Sequence, residues 1–216
     1  MTRAKTDPMR LGIVIYEGVE PIDIGGTVGV VSMAKRVLPA IEAVVIAKAA
    51  GPVQLAGGLV VMADEGFATA SACDVYVVTG GPGWREQVVD PAMMAFLQSL
   101  KPQKVASVCT GALILAASGT LNGHQATTRR AAVGAETIAP LDLIGTFDAD
   151  LHPRIAAVID DRGVVTGGGV SLAIDATLYL IGKFYGEGAR DEVARVIEYD
   201  RAFAANRAAL GHVVVA

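Results

Sequence analysis

The sequence is poor in several things that would point to a function. Only two of its 216 residues are cysteine, Cys73 and Cys109, too few for the disulfide framework of a small secreted domain. Aromatic residues make up 5% of the chain and charged residues 19%, below the usual share of about a quarter. Neither charge dominates: 18 basic residues against 22 acidic ones leave a net −4, which argues against a nucleic-acid binder with a basic face. No run approaches the roughly eighteen apolar residues of a membrane span, and the N-terminal MTRAKTDPMR lacks the apolar segment of a secretory signal. The expectation is a single domain in a reducing, cytoplasmic setting. What is abundant is aliphatic: 52% of the chain is hydrophobic, which excludes disorder and supplies one sizeable core.

Short Val/Ile-rich runs alternate with longer Ala-rich stretches. Residues 11–16 (LGIVIY), 42–46 (EAVVI), 74–79 (DVYVVT), 104–108 (KVASV) and 164–166 (VVT) read as strands buried on both faces. Residues 28–36, 91–100, 110–118, 130–138, 170–184 and 189–203 read as helices, the second opened by Asp90 and Pro91. Residues 53–62, around Gly57-Gly58, and 154–165, around Asp160-Asp161-Arg162-Gly163, read as hairpins. The pattern predicts a three-layer α/β domain, a mainly parallel sheet with antiparallel additions.

In such a sheet, chemistry gathers beyond the carboxyl ends of the strands. Three of those ends carry the candidate site. SVCTG places Cys109 where a buried strand turns directly into a helix, a position of tight backbone geometry whose helix N-terminus favours a thiolate. TGGPG, after the strand at 74–79, brings Gly80 and Gly81, whose N–H groups can line an anion-binding concavity together with the Thr110 N–H. Trp84 follows this turn as a candidate pocket wall. YEGVEPIDIGG supplies Asp23 between Ile22 and Ile24, a carboxyl in a partly dry position suited to proton transfer, while Glu17 and Glu20 read as solvated loop charges.

Taken in order, GIVIYEGVEPIDIGG, VVTGGPG, SVCTGALILAASGTLNG, the ATT that follows and VVTGGGVSLAIDATLYLI resemble the ThiJ/PfpI superfamily, related to class I glutamine amidotransferases. The resemblance covers residues 9–187 and is nearest to the isocyanide hydratase branch and to sensor domains of AraC-type regulators. It implies a flavodoxin-like sandwich, a nucleophilic Cys109, Asp23 as its carboxyl partner, and Gly81 and Thr110 as oxyanion-side amides. It further implies cofactor-independent addition of water to an isocyanide, a small-molecule substrate and a homodimer. A ligand- or redox-sensing domain and a glyoxalase-type stress protein are the alternatives.

The chain departs from the superfamily at Thr127-Thr128-Arg129-Arg130, where many relatives carry a histidine. Arg129 either favours a thiolate or forms a solvent-facing ion pair, and a Cys–His dyad at this position is excluded. Asp175 reads as structural support for the elbow. The DADLH stretch at 148–152 stands in a loop with no matching ligand cluster, so no metal is expected. The apolar C-terminus, HVVVA, needs cover from the body of the protein or from a second subunit.

Overall fold

β-Branched residues crowd the segments that become strands, and their burial on both faces follows from the helices laid over them. The computed structural model describes residues 2–216. Its strands are β1 (Met9–Val14), β2 (Ile41–Ala47), β3 (Gly51–Gln54), β4 (Val60–Ala63), β5 (Glu65–Gly66), β6 (Val75–Val78) and β7 (Val105–Ser107). The remainder are β8 (Gln125–Ala126), β9 (His152–Pro153), β10 (Val158–Asp161), β11 (Val164–Gly167) and β12 (His212–Val215). The main sheet runs β12-β10-β11-β7-β6-β1-β2-β5. All of its pairs are parallel except β10–β11. At its centre Ile13 lies between Val45 and Val77, each side chain taken out of water. The fold is the flavodoxin-like α/β sandwich expected.

The helices are α1 (Pro21–Ile24), α2 (Val30–Ala34), α3 (Trp84–Gln87), α4 (Pro91–Ser99), α5 (Gly111–Ala117), α6 (Pro140–Ile144), α7 (Ala173–Tyr185), α8 (Glu187–Val196) and α9 (Asp200–Leu210). α2, α7 and α8 pack together, while α5 packs with α3 and α6 and against β6 and β7. Asp90 caps α4 by accepting the Ala92 N–H at 2.7 Å, as its position before Pro91 predicts.

Both predicted hairpins form, β3–β4 and β10–β11. Four expectations need correction. The helix predicted at 28–36 begins earlier: α1, a five-residue π turn at Gly25–Gly29 and α2 form one continuous run opened by Pro21. The widened turn lets Gly26 press on α7, where a Cβ at Gly26 would stand 2.6 Å from that of Ala173. No helix forms at 130–138. Those residues are largely exposed, and Glu136 bends the chain back by accepting the Val133 N–H at 2.9 Å. The helix predicted at 189–203 is two, α8 and α9, broken at Glu198, whose φ of 54° no helix accommodates.

The fourth correction concerns Asp175, while the C-terminus takes one of the two covers expected, the body of the protein, with Val214 left 67% exposed. β12 pairs in parallel with β10, from Val158 opposite His212 to Asp161 opposite Val215. His212 packs edge-on against Tyr179 and Phe203 with ring centroids 5.5 and 5.4 Å away. Asp175 is buried on α7 and accepts from Tyr199 (3.0 Å) and Asn206 (3.1 and 3.3 Å), so it anchors the C-terminal helices rather than the elbow.

Candidate active site

Cys109 terminates the strand segment at β7 and opens α5 with a φ of 52°, in the left-handed region that a non-glycine residue enters at a cost of about 1–3 kcal/mol. Three contacts hold it there. Its N–H donates to the Gly168 carbonyl (3.2 Å), its carbonyl accepts the Thr128 hydroxyl (2.6 Å), and Gly111 lets the next turn close. A Cβ at Gly111 would lie 2.1 Å from the Val78 carbonyl oxygen. The elbow is thus wedged between β6 and the loop after β11, and the sulfur faces a cavity of about 810 Å³.

Asp23 stands beside it in α1, wholly buried. Its Oδ2 accepts the Gly80 N–H at 2.7 Å, while Oδ1 has no hydrogen-bond partner among the described residues. Burial pushes this carboxyl up to about 8, helped by the Glu20 charge and opposed by the Gly80 hydrogen bond. The dry carboxyl expected from the flanking isoleucines is therefore present.

The thiol differs from expectation. Burial, then the Asp23 charge, pushes Cys109 up to about 12, against the Thr110 hydrogen bonds and the Arg129 charge. The seven-residue α5 does not overcome removal of the sulfur from water. At neutral pH the site holds a thiol next to a carboxylic acid. The Tyr16 phenol donates to the Thr79 carbonyl (3.0 Å) and is likewise held neutral by burial.

The glycine turn is also used differently. The Gly81 N–H donates to Thr110 Oγ1 (2.9 Å), and the Gly80 N–H is taken by Asp23, so neither amide is free for an oxyanion. Thr110, by its backbone N–H and hydroxyl, is what remains to donate beside the sulfur. Glycine is needed in the turn for close approach: a Cβ at Gly81, whose φ is 152°, would meet the Gly18 carbonyl oxygen at 2.3 Å. Cys109, Thr110, Gly81 and Trp84 line the cavity, whereas Asp23 and Gly80 stand behind the lining. Trp84 is buried, with the Arg85 guanidinium 4.7 Å from its ring centroid.

Several lining residues carried no recognisable signal in the sequence. Ile22, Val133 and Val170 give the cavity apolar wall, and Glu20, read as a solvated charge, lines it half-buried. Arg129 is neither solvent-facing nor free. It is buried, and it binds both carboxylate oxygens of Glu136 at 2.6 and 2.8 Å. Among the described residues no group of three or more His, Cys, Asp or Glu side chains is placed to hold a metal ion.

With the strained cysteine, the buried carboxyl and the glycine turn in place, the comparisons become decisive. The DJ-1/PfpI family model matches residues 9–183. The isonitrile hydratase of Pseudomonas putida is 30% identical over 193 residues, covering 88% of this chain and 78% of that protein. The chain belongs to the DJ-1/PfpI family. Another relative is the HTH-type transcriptional regulator GbdR of Pseudomonas aeruginosa, 29% identical over 67% of this chain but only 37% of its own length. A ThiJ/PfpI family protein from Pseudomonas syringae has the same fold, with a TM-score of 0.75, 24% identity and coverage of 90% and 76% of the two chains. An AraC family transcriptional regulator from Pseudomonas putida also shares it, with a TM-score of 0.72, 17% identity and coverage of 88% and 100%. Within this family fold, the cavity floor is the elbow itself.

Both cysteines are buried and free, but Cys109 faces the cavity while Cys73 lies just before β6, in the middle of the sheet, its thiol 3.5 Å from the Ser71 carbonyl. Brief alkylation with limiting iodoacetamide, followed by peptide mass spectrometry, is expected to modify Cys109 first and to accelerate as pH rises. The sign follows from the direction of the shift: a thiol pushed up by burial gains thiolate only on the alkaline side. Labelling of Cys73 ahead of Cys109 would reverse the assignment.

Proposed function

We propose that the protein is a cofactor-independent hydratase with a cysteine nucleophile, adding water to an isocyanide or a similarly small neutral electrophile to give an N-substituted formamide. The observation that carries this reading is the pairing of a neutral thiol, on the wall of a largely apolar cavity, with a neutral carboxylic acid buried directly behind that wall. An isocyanide carbon must gain both a nucleophile and a proton, and this pair supplies one of each. Asp23 gives its proton to the terminal carbon as Cys109 Sγ bonds to the same carbon, and the thiol proton passes to the carboxylate. The product is a thioimidate, R–N=CH–S. Water then adds at that carbon, the C–S bond breaks, the proton returns to sulfur, and the imidic acid tautomerises to the formamide. Thr110, through its N–H and hydroxyl, steadies the negative charge that passes over sulfur. The likeness to the Pseudomonas putida isonitrile hydratase supports the same chemistry.

A second reading, a ligand-sensing domain, is favoured by the two regulators that share sequence or fold with the chain. A glyoxalase-type activity is less well supported, since position 129 is an ion-paired arginine where a histidine base would be wanted. Turnover separates these readings. With an alkyl or aryl isocyanide, the wild type should release the formamide, Cys109→Ala should release none, and Asp23→Asn should be slower by at least about 10²-fold, the low end for a positioned acid–base group. Isocyanide binding without turnover by the wild type would transfer support to the sensor reading.

The assembly we propose is a homodimer in a reducing, cytoplasmic setting. Support for the dimer comes from exposed apolar side chains: Val214 on the edge strand β12, and Leu59, Val60 and Met62 around the β3–β4 hairpin, all more than half exposed. No helix among the described residues is long and apolar enough to cross a membrane. Light scattering should give twice 22.2 kDa, and a mass of 22.2 kDa contradicts the dimer.

A further inference from the structure

Charged and titratable groups approach the sulfur from three sides. Tyr16, Glu20 and Asp23 come from the end of β1 and the start of α1, Arg85 from α3, and Arg129 and Glu136 from the segment between β8 and α6. The last pair has the most unusual placement. Arg129 is 8% exposed, shares the cavity wall with Cys109, and directly follows Thr127-Thr128, a segment that Thr128 fastens to the Cys109 carbonyl. A guanidinium so near a buried thiol would ordinarily draw it toward thiolate. Here its Nη2 donates to both carboxylate oxygens of Glu136, at 2.6 and 2.8 Å, and its Nη1 donates to the Ala131 carbonyl. Glu136 also accepts the Val133 N–H and lies 3.9 Å from Arg85 Nη2, so one carboxylate ties an otherwise irregular loop to both walls of the cavity.

We propose that Glu136 is a positioning residue that holds the Arg129 guanidinium in an ion pair and so keeps its charge from acting fully on Cys109. The physical argument is one of compensation. Removing the carboxylate leaves a buried cation without its counterion, and an unpaired buried charge is costly. The Cys109 thiol shares that wall, so the unmasked guanidinium would favour its ionised form. Glu136 therefore sets the resting protonation of the nucleophile from outside the reacting pair. By neutralising the one cation deep in the wall, it also suits the cavity to uncharged ligands.

The test follows the pH dependence of Cys109 alkylation, a readout that needs no substrate, so failure of the hydratase reading would leave it standing. Glu136→Gln should move the alkylation midpoint down by a unit or more, about a tenfold faster reaction at pH 7. Glu136→Ser, which removes charge and bulk together, should move it the same way and serves if the glutamine variant fails to fold. Glu136→Asp, which keeps the charge, should restore the wild-type profile. In Arg129→Met/Glu136→Gln the midpoint should return toward that of the wild type, because no cation remains to be unmasked. An unchanged midpoint in both charge-removing variants overturns the proposal. An equal fall in the double variant also overturns it, by tracing the effect to loop opening instead of to charge.

Discussion

The site depends on one act of burial: a carboxyl group placed under the elbow with a single hydrogen bond to steady it. Asp23 has one oxygen on the Gly80 N–H and the other without a partner, so ionisation would leave a charge with little to replace its water. The proton is retained, and the pKa rises to about 8. The cost appears as stability. A carboxyl whose folded pKa exceeds its unfolded value favours the fold fully below the unfolded value, and that contribution is lost as pH climbs through the folded one. For Asp23 the loss spans roughly pH 4 to 8, and the smaller rise of Asp175, to about 6, adds a loss over the lower part of that window. The protein gives up some alkaline stability to keep an acid buried beside Cys109.

The elbow and the acid constrain one another through the glycine turn. Gly80 must be glycine because a Cβ there would stand 2.5 Å from the Thr110 nitrogen, and its N–H must point at Asp23. Thr110 is tied back to the Gly81 N–H, so the residue beside the nucleophile and the turn beside the acid move as one piece. The strained Cys109 backbone persists because β6, Gly168 and Thr128 over-determine it. The hydration proposed above needs no separate base if one buried acid can give a proton and take one back.

Much of this arrangement was legible in the sequence, for identifiable reasons. Continuous β-branched runs read as doubly covered strands because burial on both faces leaves no polar alternation, and the elbow and glycine turn read as strand ends because Gly, Cys and Thr break those runs abruptly. Asp23 could be placed in a dry position from its isoleucine neighbours alone. What stayed hidden depends mostly on contacts between distant segments. The Gly81 amide looked free until Thr110, 29 residues away, was seen to accept it. The helix expected at 130–138 fails for a local reason: Gly134 takes a φ of 59°, which no helix accommodates, and Glu136 turns back to Arg129 seven residues earlier. The thiol was expected to ionise at a helix N-terminus, yet desolvation, invisible in a sequence, dominates the short α5.

The central claim is that Asp23 is a carboxylic acid at neutral pH, and carbon-13 NMR of aspartate-labelled protein measures it directly, with Asp23→Asn identifying the resonance. The account predicts that this carboxyl carbon titrates with a midpoint near 8 and remains protonated at pH 7. A midpoint near the ordinary 3.8 would mean that the site holds a carboxylate, and the proton the mechanism needs would not be there.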